Sequence, residues 1–256
     1  MADILFEQSD GIAVITFNRP EKKNCVSHEL ENDLYEYMQK INRDKGIRVV
    51  VVTGGPDVFC AGTDLKSNVG SYSTPWDWRV RQGEYCRSIR AMIKPVIASI
   101  NGYCMGGGFE MSLNADIRYA SKSALFASPE SKLGVLGGGG VTQILPRIIG
   151  RGKAAEMIMT GDTYTAEEAY EMGLIERLYD TPEELKKGTF EFASKIAAMS
   201  SSGQQLVKKA LRVSDNIGVD MGMDYENELL CVGMSTKDAI ESQRAFVEKR
   251  KPVLNK

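Results

Sequence analysis

Histidine is almost missing: His28 is the single one in 256 residues. A serine or cysteine triad would have to use it as base, and with no GxSxG elbow in the chain to present a nucleophile, that chemistry is not expected. The five cysteines, at 25, 60, 86, 104 and 231, include no CxxC pair and no close even set. They read as reduced thiols that pack as small apolar groups, rather than as zinc ligands or a disulfide framework. No apolar run approaches the roughly 20 residues that span a bilayer, and Met1 to Gln8 has neither a basic leader nor a signal-type segment. A cytoplasmic location is the expectation. Charge of one sign is lacking too: 32 Lys and Arg against 34 Asp and Glu leave a formal net charge of -2 with no long basic block. This argues against a surface built for nucleic acid or for anionic membrane. There is no P-loop GxxxxGK[ST], and Gly106 to Gly108 lacks GxGxxG spacing, so no nucleotide fingerprint is present.

What is present reads as a mixed α/β chain large enough for one well-buried core. Ile4 to Ser9 and Ile12 to Phe17 are strand-like runs around Asp10 and Gly11, a two-residue hairpin signal. Ser27 precedes Glu29 to Lys45, where Leu30, Leu34, Met38 and Ile41 recur at helical spacing behind a capping residue. Val49 to Val52, Val96 to Ile100 and Ile117 to Ala120 read as buried strands. Helical stretches are expected through Tyr85, Ile89 and Met92, from Gly107 to about Leu113, and between the run Gly137 to Gly140 and Pro146. Ser71 to Arg81 mixes aromatics, Pro75 and charges without a period, which suggests a flap near a substrate. From about Thr181 the pattern turns helical, over Pro182 to Met199, Gln204 to Val213, Gly222 to Met234 and Thr236 to Lys249. This divides the chain into a core over residues 1 to 180 and a helical subdomain over 181 to 256. Its apolar Phe190, Phe192, Leu229, Leu230, Met234 and Phe246 would cover either this chain's own core or a neighbouring subunit.

Two segments that follow strands are dense in small residues: Phe59 to Lys66 and Asn101 to Glu110. Glycines there let a ligand approach the backbone, and the second segment opens a helix, whose unpaired N–H groups attract developing negative charge. One amide from each turn would clamp a single carbonyl oxygen as an oxyanion hole. Taken alone, Glu110 is an ordinary first-turn partner of a helix dipole. Glu130, after Ser128 and Pro129, is equally ordinary as a solvated acid or a partner of Lys132. Facing one pocket, the two would share and orient a water, with burial and mutual repulsion raising at least one pKa toward neutrality.

The stretches FCAGTDLK (Phe59 to Lys66), KPVIASINGYCMGGGFE (Lys94 to Glu110), FASPESKLGV (Phe126 to Val135) and EKRKP (Glu248 to Pro252), with NRPEKKN closing the opening hairpin, resemble the crotonase, or enoyl-CoA hydratase/isomerase, family nearly end to end. The resemblance implies a spiral of ββα units with a helical C-terminal part that helps form trimers or a dimer of trimers. It implies an acyl-CoA substrate and no metal or redox cofactor. By motif position, Thr63 and Gly107 would supply the oxyanion-hole amides, Glu110 and Glu130 the acid/base carboxylates, and Gly138 an amide that helps hold the water. Ala61, Asp64, Leu65 and Lys66 would lie along the CoA moiety, Lys66 near its phosphates. Because family isomerases keep only the later carboxylate, the pair implies a hydratase. Relatives such as carnitinyl-CoA dehydratases, cyclic dienoyl-CoA hydratases and enoyl-CoA isomerases remain rival readings, and a CoA-binding scaffold without turnover is the reading outside enzymes. Two departures fall near the acyl pocket: Gly137 to Ile144 stands where hydratases usually read PGAGGTQR, and Thr63 stands where alanine is commoner. Trp76 and Trp78 suit lid packing better than the floor of an acyl pocket.

Overall fold

The computed structural model describes residues 2–68 and 84–255, so the expected flap with Trp76 and Trp78 lies outside the described residues. The opening hairpin forms as the sequence signals. β1 (Ile4–Ser9) pairs antiparallel with β2 (Ile12–Phe17), and the turn holds Asp10 at φ 50 and Gly11 at φ 84. Left-handed values at both turn residues match the right-handed twist of the strands they join. Ser27 then caps the helix His28–Arg43, its side chain accepting the Leu30 N–H at 3.2 Å. Leu30, Leu34, Met38 and Ile41 form that helix's buried stripe.

From β2 the sheet grows by parallel strands: β3 (Val49–Thr53), β4 (Val96–Ile100), then β6 (Ile117–Ser121) and β9 (Arg177–Tyr179), in the order β1-β2-β3-β4-β6-β9. Four successive valines in β3 are buried because both faces of the sheet are covered. Val50 and Val52 enter the main core, while Val49 and Val51 meet Ala193 and Ala197 of the helix Pro182–Ala197 on the other face. A smaller sheet, β5 (Tyr103–Met105), β7 (Leu125–Ala127) and β8 (Tyr164–Thr165), stands apart. Strand, short strand and helix thus recur along the chain, as in β4, β5 and the helix Gly107–Asn114. This is the ββα spiral. The ends of β5 and β7 come together there, the Gly106 N–H donating to the Ala127 carbonyl at 3.0 Å.

Several boundaries differ from the sequence reading, two of them for a visible reason. The helix Val141–Ile149 runs through Pro146 instead of ending before it. Val141 and Leu145 are fully buried on its inner side, and that packing outweighs the hydrogen bond the proline cannot make. The helix expected over Gln204 to Val213 begins earlier, at Ser201, because Ser200 caps it through the Gly203 N–H. Phe190 and Phe192 pack against the sheet, whereas Leu230, Met234 and Phe246 are exposed, Phe246 at 86%. Among the described residues no helix is long and apolar enough to cross a membrane.

Candidate active site

The two glycine-bearing turns meet because their strands run side by side. The Phe59 N–H donates to the Asn101 carbonyl at 2.6 Å, Cys60 to Tyr103 at 2.8 Å, and Met105 back to Cys60 at 3.0 Å. Just past this ladder, Gly106 adopts φ 54 and ψ -127, a conformation that a side chain would strain, and the helix Gly107–Asn114 begins. Space is as tight as conformation. A β-carbon on Gly108 would sit 2.3 Å from the Cys60 carbonyl oxygen, and one on Gly62 would sit 3.4 Å from the Gly107 nitrogen. The turn that carries Thr63 is held from the other side by a bridge between Val26 and Thr63. Among the described residues the N–H groups of Thr63 and Gly107 have no backbone acceptor, because one points out of the bridge and the other opens a helix. Two free donors therefore stand on touching turns.

Glu110 lies one turn into that helix and is 3% exposed. Its Oε1 accepts the N–H of Gly139 at 2.7 Å and of Val141 at 3.3 Å. Asn114 fixes the loop to the helix, its Nδ2 donating to the carbonyls of both Glu110 and Gly139 at 2.8 Å. The run Gly137 to Gly140 now has a physical reason. A β-carbon on Gly137 would lie 2.6 Å from Glu110 Oε1, and one on Gly139 2.8 Å from Oε2 and 2.5 Å from Cys86 Sγ. Any side chain at either position would drive the loop off the carboxylate.

Glu130 stands half-buried in the 3-10 turn Pro129–Leu133. Ser128 Oγ donates to its Oε2 at 2.8 Å, and its Oε1 would be 3.3 Å from a β-carbon on Gly106. Lys132, the alternative partner, pairs with Asp162 instead. Both carboxylates thus flank the start of one helix. Burial raises the Glu110 pKa to about 7; the Val141 amide opposes this, the charge of Glu130 adds to it, and the amides of Gly139 and Gly140 oppose it again.

That shift has a sign. The folded chain keeps the Glu110 proton to about pH 7, whereas the unfolded chain releases it near 4.5. The stability this group contributes is complete below 4.5 and is lost as pH rises through 7. Glu110→Gln removes the buried charge and still accepts both amides. It is expected to match the wild type in urea unfolding at pH 4.5, and to exceed it by up to about 3 kcal/mol at about pH 8.

Of the other residues singled out in the sequence, Ala61 and Asp64 are half-buried, Asp64 paired with Arg19 at 3.3 Å, while Leu65 and Lys66 are exposed at the start of the helix Leu65–Asn68. Gly138 is exposed at the outer edge of the loop around Glu110. Sequence reasoning missed Asn114, Ser128 and Tyr85 as parts of this site. Ser128 stands inside the stretch Phe126 to Val135 without a role assigned to it, whereas Asn114 and Tyr85 carry no motif signal and are found only through what they touch.

Amide donors on two touching turns thus stand beside two carboxylates in a ββα spiral. A sequence model described as enoyl-CoA hydratase/isomerase matches residues 7–256, and the chain belongs to that family. It is 36% identical over 250 residues to an (E)-benzylidenesuccinyl-CoA hydratase of Thauera aromatica, covering 97% of each chain. It is 32% identical to a short-chain-enoyl-CoA hydratase of Clostridium acetobutylicum, covering 97% of this chain and 96% of that one. The fold overlays the crystal structure of an enoyl-CoA hydratase from Bacillus anthracis with a TM-score of 0.93, at 34% identity and 99% coverage of both chains.

Proposed function

We propose that the chain adds water reversibly across the 2,3 double bond of an α,β-unsaturated acyl-CoA thioester. The observation that carries this reading is the retention of both carboxylates, Glu110 and Glu130, beside the amide-bearing turns. In the reaction, the N–H groups of Thr63 and Gly107 receive the thioester oxygen and draw charge from Cβ. Glu110 and Glu130 hold the water, with the exposed Gly138 amide beside them; Glu110 takes up one of its protons as its oxygen bonds to Cβ, while Glu130 enters the step carrying the proton it gives up. The enolate then receives a proton at Cα from Glu130, and collapse of the enolate restores the thioester. Ala61, Asp64, Leu65 and Lys66 line the CoA moiety, Lys66 placed for its phosphates. No cofactor beyond the CoA of the substrate enters these steps.

Relatives named for benzylidenesuccinyl-CoA, short-chain enoyl-CoA and 2,3-dehydroadipyl-CoA support a 2-enoyl thioester as the substrate class. Self-association as a trimer or a dimer of trimers belongs to the same reading, supported by the exposed Leu230, Met234 and Phe246 on the last helices. A cytoplasmic location is part of the reading as well. The test is a panel of 2-enoyl-CoA thioesters. Loss of the conjugated thioester absorbance, with a 3-hydroxyacyl-CoA as product, is expected. Formation of the 2-enoyl from a 3-enoyl thioester, with no hydration, would make the chain an isomerase, and tight CoA binding with no turnover would make it a scaffold.

A further inference from the structure

Thr63 carries a hydroxyl that an oxyanion hole built from main-chain amides does not use. Its Oγ1 lies 3.4 Å from the phenolic oxygen of Tyr85, in the helix Glu84–Arg90. The same phenolic oxygen stands 2.3 Å from where a Gly107 β-carbon would be, and Thr63 Oγ1 stands 3.4 Å from that point. Two hydroxyls therefore gather at Gly107, one of them belonging to Thr63, the other residue whose N–H has no backbone acceptor. Tyr85 is 7% exposed, and Thr63 Oγ1 is its hydroxyl's hydrogen-bond partner among the described residues. A buried phenol with one long contact has hydrogen-bonding capacity left over, and such groups in a site call for a partner. Burial above all, then the neighbouring Cys86 and Glu110 acids, push its pKa well above 10, against the Thr63 hydrogen bond, so it remains a donor at neutral pH.

We propose that Tyr85 is a third donor to the thioester oxygen, with Thr63 as its positioning residue. The Thr63 O–H donates to the Tyr85 oxygen, and the Tyr85 O–H donates to the substrate oxygen as it takes on enolate charge. The proton stays on Tyr85 throughout, and each hydroxyl polarises the next. Thr63 thus contributes twice, through its amide and through its side chain. This assignment rests on the hydratase reading for its reaction, though not for its geometry.

The test is Tyr85→Phe, which keeps the ring and its packing. Turnover is expected to fall about tenfold or more with KM within about twofold, because the lost donor acts mainly on the transition state. Thr63→Val should cost about threefold in kcat, Thr63→Ser should restore it, and the double variant should be no worse than Tyr85→Phe alone. A second readout needs no hydration: the enolisation pKa of bound acetoacetyl-CoA, followed by enolate absorbance, should rise by about one unit in Tyr85→Phe. Should Tyr85→Phe not fold, Thr63→Val and Thr63→Ser test the same chain of hydroxyls. Hydration by the wild type with both readouts unchanged in the variants overturns the third donor and leaves the hydratase reading standing. A rise in KM alone also overturns it, making Tyr85 a pocket wall. No hydration by the wild type, with the enolisation shift present, sinks the hydratase reading and supports the donor.

Discussion

Glu130→Gln is expected to lower kcat by at least about 10²-fold, the ordinary size of lost general acid/base catalysis. The substitution is close to isosteric, and the amide oxygen still accepts from Ser128 Oγ. What disappears is a group that can gain and lose a proton. Acyl-CoA binding should therefore remain nearly intact, and the loss should appear in kcat and kcat/KM alike. Glu110→Gln should do the same, since its loop contacts are main-chain N–H donors that a Gln oxygen also satisfies. Steady-state kinetics beside a titration with a saturated acyl-CoA separates the two effects. Near wild-type turnover in either variant would remove that residue from its assigned role.

Lys208→Ala is expected to cost about 3 to 5 kcal/mol of stability, the range for breaking a buried ion pair from one side. Lys208 is 5% exposed, and its Nζ donates to the Lys94 carbonyl at 2.7 Å and to Asp116 Oδ2 at 2.5 Å. That Asp116 oxygen also receives the Val96 N–H at the start of β4. One ammonium thus ties the helix Ser201–Ser214 to the central sheet. Burial lowers the lysine's pKa to about 8 even though Asp116 acts to raise it; the ammonium is the buried end of the pair, Asp116 being 26% exposed. Truncation leaves a carboxylate and a carbonyl facing a cavity. Urea unfolding at neutral pH measures the loss; a change below about 1 kcal/mol would mean that water replaces the ammonium at little cost.

What the sequence made legible follows from length and period. The hairpin, β3, β4, β6 and the helix His28–Arg43 are long enough for alternation or a helical stripe to stand out. β5, β7, β8 and β9 are two or three residues each, too short for any period, and they pair with strands distant in sequence. Yet β5 and β7 carry the turns that aim Gly107 and Glu130. The residue types of the site could be read from motifs; its electrostatics could not. Burial of Glu110 depends on Gly137 and Gly139 folding back over it from far along the chain, and the meeting of Thr63 with Tyr85 depends on the helix Glu84–Arg90 lying beside the turn that carries Thr63. The run Gly137 to Gly140 was visible as a departure from the family pattern, and only the contacts with the carboxylate say why it consists of glycine.

The two main-chain N–H groups on Oε1 of Glu110 hold the carboxyl group against rotation, and among the described residues no hydrogen bond falls on Oε2. In a hydration, every proton passing through Glu110 would cross at that atom, from one side of a flat acyl chain. The handedness of the new alcohol would then be dictated by a loop whose side chains are nothing more than hydrogen.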